Sequence, residues 1–132
     1  MSFTEVNNSI YSQPAIGAFG FTASGNIYKG QGVYICSSNK VCVPSTDDKR
    51  FLGISMYNAS NDDKVAIYCV GNLVTCKISG TTTPTAGTFV GVVTGGYVSP
   101  NATHKSGAVI TRAASTNYGD GDILIIGTEY NQ

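Results

Sequence analysis

The sequence predicts an all-β protein: a compact β-barrel or sandwich of short antiparallel strands, preceded by an extended N-terminal arm. Three observations predict it. From Ile16 onward short apolar runs alternate with clusters of Gly, Pro, Asn, Asp and Ser, the rhythm of short strands joined by tight turns. No stretch sustains apolar residues at the three-to-four spacing of a helix. The composition, 42% hydrophobic and 12% charged over 132 residues, is that of a chain that folds around one core rather than staying disordered.

Residues 1–14 mix Phe3, Val6, Ile10 and Tyr11 with polar positions, follow neither period and end at Pro14; they read as an extended arm. Residues 15–132 then form a single β domain. Its candidate strands are Ile16–Thr22, Gly32–Cys36, Val41–Pro44, Phe51–Tyr57, Lys64–Val70, Leu73–Ser79, Thr88–Val93, Tyr97–Ser99, Ala108–Arg112 and Asp122–Thr128. Gly71-Asn72 and Gly95-Gly96 offer the positive φ of two-residue hairpin turns, and Asp47-Asp48 and Asn61-Asp62-Asp63 suit longer loops, so consecutive strands are expected to pair mostly as a meander. A hairpin at Gly71-Asn72 sets Val70 opposite Leu73, Cys69 opposite Val74, Ile67 opposite Cys76 and Val65 opposite Ile78. Val65, Ile67, Cys69, Val74, Cys76 and Ile78 then share a core-facing side. The opposite side carries Ala66, Tyr68, Val70, Leu73, Thr75 and Lys77, the mixed character of a surface near a neighbour or a second layer.

Eight basic against eight acidic residues leave no net charge and no basic run longer than Lys49-Arg50, so the electrostatic footprint of a nucleic-acid binder is missing. No stretch nears the ~20 apolar residues of a membrane span, and the first residues have neither the charged nor the apolar region of a secretory signal, which predicts a soluble protein made in the cytoplasm. Cys36, Cys42, Cys69 and Cys76 form no Cys-x-x-Cys pair, and His104 stands alone in a loop-like stretch, so neither metal nor cofactor is expected. Cys69 and Cys76 read as small core hydrophobes. A short turn sets Cys36 and Cys42 opposite one another, so a bridge is geometrically open, whereas cytoplasmic synthesis argues for thiols. The acidic pairs at Asp47-Asp48, Asp62-Asp63 and Asp120-x-Asp122 lack the alternation of a calcium loop. No motif places a base beside a nucleophile, so the chain is not expected to be an enzyme. The eight tyrosines supply rigid amphipathic area of the kind enriched at interfaces.

Taken in order, Gly32-Val33-Tyr34-Ile35, Phe51-Leu52-Gly53-Ile54-Ser55, Val65 through Val74, Gly87-Thr88-Phe89-Val90 and Gly96-Tyr97-Val98 resemble the small capsid cement, or decoration, proteins of tailed phages. The resemblance runs from about Ile16 to the last strand. The chain departs from the family's pattern at Asp62-Asp63, where a glycine turn is common, and in the polar tail after Ile125-Ile126-Gly127. The resemblance implies a structural protein that binds the outer surface of a phage major capsid shell and stabilises it by bridging subunits. It further implies assembly in the host cytoplasm, residence on the capsid exterior, the major capsid protein as partner, and a homo-oligomer, trimer or dimer. The candidate capsid or subunit interface is Phe3, Val6, Ile10 and Tyr11 of the arm, with Tyr68 and Leu73. The alternative is a carbohydrate- or receptor-binding β module of a phage fibre or tail, in which tyrosines stack on sugar rings.

Overall fold

The computed structural model describes Phe3 and residues 18–80 and 83–127. These residues hold ten strands in succession: β1 (Ala18–Ala23), β2 (Gly32–Ser37), β3 (Lys40–Cys42), β4 (Gly53–Ser55), β5 (Lys64–Tyr68), β6 (Leu73–Ile78), β7 (Phe89–Val92), β8 (Val98–Ser99), β9 (Ala108–Arg112) and β10 (Gly119–Ile125). Among the described residues the only helical element is a 3-10 turn, Thr94–Gly96, between β7 and β8. Gly95 and Gly96, at φ 85° and 81°, make that turn with the positive φ expected of them.

The strands close into two five-stranded barrels, β1-β3-β2-β4-β5 and β10-β6-β8-β7-β9. Closure removes free sheet edges, which a short-stranded β protein must otherwise protect. The two barrels have the same topology. In the first, β1 lies parallel to β3 and antiparallel to β5, while β2 pairs with β3 and β4, and β4 with β5. In the second, β6 lies parallel to β8 and antiparallel to β10, while β7 pairs with β8 and β9, and β9 with β10.

The correspondence holds residue by residue, so the chain is an internal structural repeat. Ala23 pairs with Val41 as Ile78 pairs with Val98, and Val33 with Gly53 as Val90 with Ala108. Gly30 N–H donates to the Ser55 carbonyl as Gly87 N–H donates to that of Ile110, each at 2.7–2.9 Å, and both glycines have positive φ, 92° and 91°. A side chain is repeated too: Asn61 Oδ1 accepts from Gly25 N–H and Asn117 Oδ1 from Gly80 N–H. Two barrels of this size bury more together than either does alone, since a barrel of some fifty residues has little interior.

Each barrel has its own core, and the first repeat contributes to both. Val33, Val41, Val65 and Ile67 fill the first barrel. Val74, Cys76, Ile78, Val90, Val92, Ile110, Ile123 and Ile125 fill the second, and Phe51 and Ile54 from the first repeat join that same cluster. Gly32 makes the close approach possible: a Cβ there would stand 2.6 Å from Val92 Cγ2, so only glycine fits without displacement.

The expected hairpin at Gly71-Asn72 does not form. Gly71 has a positive φ of 96°, but the segment carries the chain from one barrel to the next, and β5 and β6 pair with other strands. Consecutive strands pair at β2–β3, β4–β5, β7–β8 and β9–β10 only; barrel closure uses the remaining edges. The face assignment survives the change of partners. Val65, Ile67, Cys69, Val74, Cys76 and Ile78 are each at most 6% exposed, because alternation fixes which side a residue faces whatever strand lies beside it. β10 begins at Gly119, earlier than expected from its glycine-rich start, where Gly121 opposes Cys76.

Cys76 is fully buried, and burial pushes its thiol well above the usual range, with Asp122 and Asp120 adding to the shift. Replacing it by serine puts a hydroxyl without a partner into the core. Cys76→Ser is therefore expected to lower stability by about 1–3 kcal/mol. Thermal melts of the two proteins check this, and an unchanged melt would place Cys76 elsewhere.

Candidate functional site

The described residues gather aromatic side chains at one place on the second barrel. Tyr97 stands between the other two rings: Phe3 is 5.4 Å away by centroid, tilted at 52°, and Tyr118 is 5.0 Å away, edge-on at 78°. Edge-to-face rings at these separations attract through their quadrupoles. Tyr97, 7% exposed, packs with Val93 and Ala102, and Phe3 completes that small cluster. Its buried hydroxyl oxygen has no hydrogen-bond partner among the described residues. Burial and then the neighbouring Tyr118 push its phenol above the ordinary value.

Beside these rings lies a groove of about 440 Å³ whose walls include Asp47, Thr94, Gly95, Tyr97, Asn101 and Tyr118. A loop of the first repeat builds one wall. Asp47 Oδ1 accepts from the backbone N–H and the hydroxyl of Thr94, both at 2.9 Å, the Asp47 carbonyl accepts from Thr103 N–H, and the Pro44 carbonyl accepts from Gly95 N–H. The loop is thereby tied to the β7–β8 turn through Thr94 and Gly95 and to the β8–β9 connection through Thr103.

The repeat supplies an internal reference for this site. Lys40 and Asp62 occupy the positions of Tyr97 and Tyr118, and they form an ion pair at 3.9 Å. Asp62 and Tyr118 both have positive φ, 69° and 65°. An aspartate tolerates that conformation, whereas a bulky ring there is uncommon. The barrel therefore does not require the tyrosine pair; the second repeat carries it at a conformational cost. The arrangement offers ring faces for stacking and an orphan hydroxyl for a hydrogen bond, which is binding chemistry.

The expected interface residues fall in different places. Phe3 of the arm lies against Tyr97, whereas Val6, Ile10 and Tyr11 lie outside the described residues. Tyr68 is half-buried and packs against the core of the second barrel; burial and then Tyr57 raise its phenol. Leu73 is half-buried at the start of β6, on the outer side of the second barrel. Sequence reading missed Tyr97 and Tyr118 as a pair. The signal was the repeat: Asn61-Asp62-Asp63 aligns with Asn117-Tyr118-Gly119, and an aromatic residue in an Asn-containing turn is a departure to notice.

Cys36 and Cys42 form a disulfide with Cα atoms 5.8 Å apart, settling the question the sequence left open. Cys69 and Cys76 are free and buried, and burial pushes the Cys69 thiol up to about 11. The bridge closes a short loop, so reducing it is expected to cost about 2 kcal/mol. Paired melts with and without reductant measure this. In the folded protein, Cys69 and Cys76 should resist thiol reagents, because the thiolate is the reactive form.

No protein-family model matches the chain and no curated protein matches its sequence. Among solved structures it is similar to the N base of the head fibre gp8.5 of bacteriophage phi29, with a TM-score of 0.60 and 11% identity over 82% of this chain and 92% of that one. Over the matched residues the two proteins share a fold.

Proposed function

We propose that this chain is a structural protein of a tailed-phage virion that binds the outer surface of the major capsid shell and stabilises it by bridging subunits. The observation that carries the reading is the likeness to a head-fibre base, which spans 92% of that chain. Surface chemistry supports it. Phe19, Tyr57, Val70 and Phe89 are each more than half exposed on a protein without net charge, and apolar area set among polar residues suits docking to another protein. The partners are the major capsid protein and copies of the chain itself; no cofactor enters.

Mixing the purified protein with undecorated cognate capsids is expected to give saturable binding and a higher bursting temperature, as mass action requires of a ligand that prefers the intact shell. Absence of both effects overturns the reading. Removing residues 1–13 takes away Phe3 and with it one side of the Tyr97 cluster. A melt that holds while binding weakens assigns the arm to the capsid, and a melt that falls assigns it to the barrel.

A second reading, a carbohydrate-binding module, is favoured by the groove at Tyr97 and Tyr118 alone. It expects oligosaccharides to change tyrosine fluorescence in the native protein and not in Tyr118→Ala.

A further inference from the structure

We infer that copies of this chain associate head to tail, the outer face of the second barrel in one copy docking on an open mouth of the first barrel in the next. The contact between the two repeats shows how one such barrel receives another.

That contact has two sides. One is a row across the outside of the first barrel. Gly32 opposes Ile54, and Tyr68 opposes both Ile54 and Ala18. Ile54 is fully buried and Tyr68 half-buried against the second barrel's core, with Phe51 beside them. The other side is a mouth of the second barrel, where the start of β6 and the end of β7 come together because the two strands run in opposite directions. Val74 and Val92 lie there, 6% and 0% exposed. Val92 is the residue that fills the space left by Gly32.

Each side recurs in the other repeat, where no second barrel covers it. The row equivalent to Gly32, Ile54, Tyr68 and Ala18 is Phe89, Val109, Leu124 and Leu73, joined by the same pairings. It is apolar at every position. Phe89 is 55% exposed, the other three are half-buried, and Val70, 54% exposed, precedes the row in sequence. The mouth equivalent to Val74 and Val92 is formed by Phe19 and Ile35, which pair with the core residues Ile67 and Val41 and so point toward the barrel interior. They are 57% and 44% exposed. Residues that strand alternation directs inward are thus exposed at this mouth.

One chain therefore ends in an uncovered row at its second barrel and an uncovered mouth at its first, the two halves of a contact it already makes once. A second copy supplies both. Because row and mouth are different surfaces, the contact is heterologous, and it closes into a ring or continues as a chain of subunits. The copies cannot approach as closely as the repeats do. Phe89 stands where Gly32 lets Val92 in, and Phe19 and Ile35 are larger than Val74 and Val92, so Phe89 acts as the knob that enters the mouth. The Arg112–Asp122 ion pair on β9 and β10 gives the row a polar border, as interface rims have.

Sedimentation of the purified chain from micromolar to millimolar concentration tests this without any capsid, so its outcome is separate from that of the virion reading. Mass rising with concentration beyond one chain is expected. Phe89→Asp and Phe19→Asp should each weaken association at least tenfold, roughly, as removal of a central apolar anchor does. Both sites are exposed, and circular dichroism melts verify folding; Ile35→Asp replaces Phe19→Asp should that variant unfold. The deciding measurement is the equimolar mixture. Phe89→Asp keeps an intact mouth and Phe19→Asp an intact row, so the mixture should form pairs that grow no further. A wild-type chain that stays monomeric overturns the inference, and so does association that Phe89→Asp abolishes while both mouth variants leave it intact, since that marks a symmetric contact through the row. Association that appears only after removal of residues 1–17 also overturns it, by showing that the arm occupies the mouth.

Discussion

Replacing Phe51 by alanine is expected to cost about 3–5 kcal/mol, the usual loss for deleting a fully buried aromatic side chain. Phe51 is 1% exposed and among the largest of the fully buried side chains. It belongs by sequence to the first repeat, yet it packs with Val74, Val92, Ile123 and Ile125 in the core of the second. For a chain of this length the loss corresponds to a fall in melting temperature of roughly 10–18 °C, and it takes a large share of the total stability of a small protein. The form of the melt is as informative as its position. Because a residue of the first repeat sits in the core of the second, both barrels should still unfold in one transition at the lower temperature. A loss below about 1 kcal/mol would mean the ring is not enclosed as described, and two separated transitions would mean that the repeats fold independently.

The next largest effect is expected at Arg112. Asp122 on β10 has no exposed surface, and its carboxylate is held by three donors: Arg112 Nε at 2.5 Å, Arg112 Nη2 at 3.3 Å and the Thr75 hydroxyl at 2.6 Å. Arg112→Ala leaves that carboxylate buried with the hydroxyl alone. Breaking a wholly buried pair costs about 3–5 kcal/mol. The Arg112 side chain is 42% exposed, so water replaces part of the lost interaction, and about 2–3 kcal/mol is expected here. Denaturant unfolding of Arg112→Ala measures it. The double variant Arg112→Met with Asp122→Leu is the comparison. It removes charge and partner together, so it should recover most of the loss. A double variant as unstable as Arg112→Ala would show that packing around the guanidinium, rather than the stranded charge, is what matters.

The distance between sequence and structure is best seen at β5 and β6. Alternation in Lys64–Tyr68 and Leu73–Ile78 names the core-facing residues correctly, since a strand's two faces are fixed by its own backbone, although Thr75 on the other side is buried as well. The same alternation is silent about partners. Gly71-Asn72 has the chemistry of a hairpin turn, and local chemistry alone favours a hairpin; closing two barrels instead sends β5 to β1 and β4, and β6 to β8 and β10. The candidate site follows the same division. Phe3 stood out as an apolar residue in a polar arm, but its place against Tyr97 depends on a contact between residues far apart in the chain. Lys40 and Asp62, and their counterparts Tyr97 and Tyr118, are likewise adjacent only once the barrels have closed.

By itself, the sequence determined the class of fold, the position of nearly every strand, the inward faces and the lack of net charge, because each follows from composition or from the period of a few consecutive residues. The tertiary structure alone decided the duplication of the barrel, the disulfide between Cys36 and Cys42, the aromatic site, and which apolar residues are covered. At Ile54 and Val109 the two repeats place aliphatic residues in the same barrel position; one is sealed beneath the neighbouring barrel and the other is only half-buried. Local sequence cannot separate them, because burial there is set by whether a second barrel lies on that face.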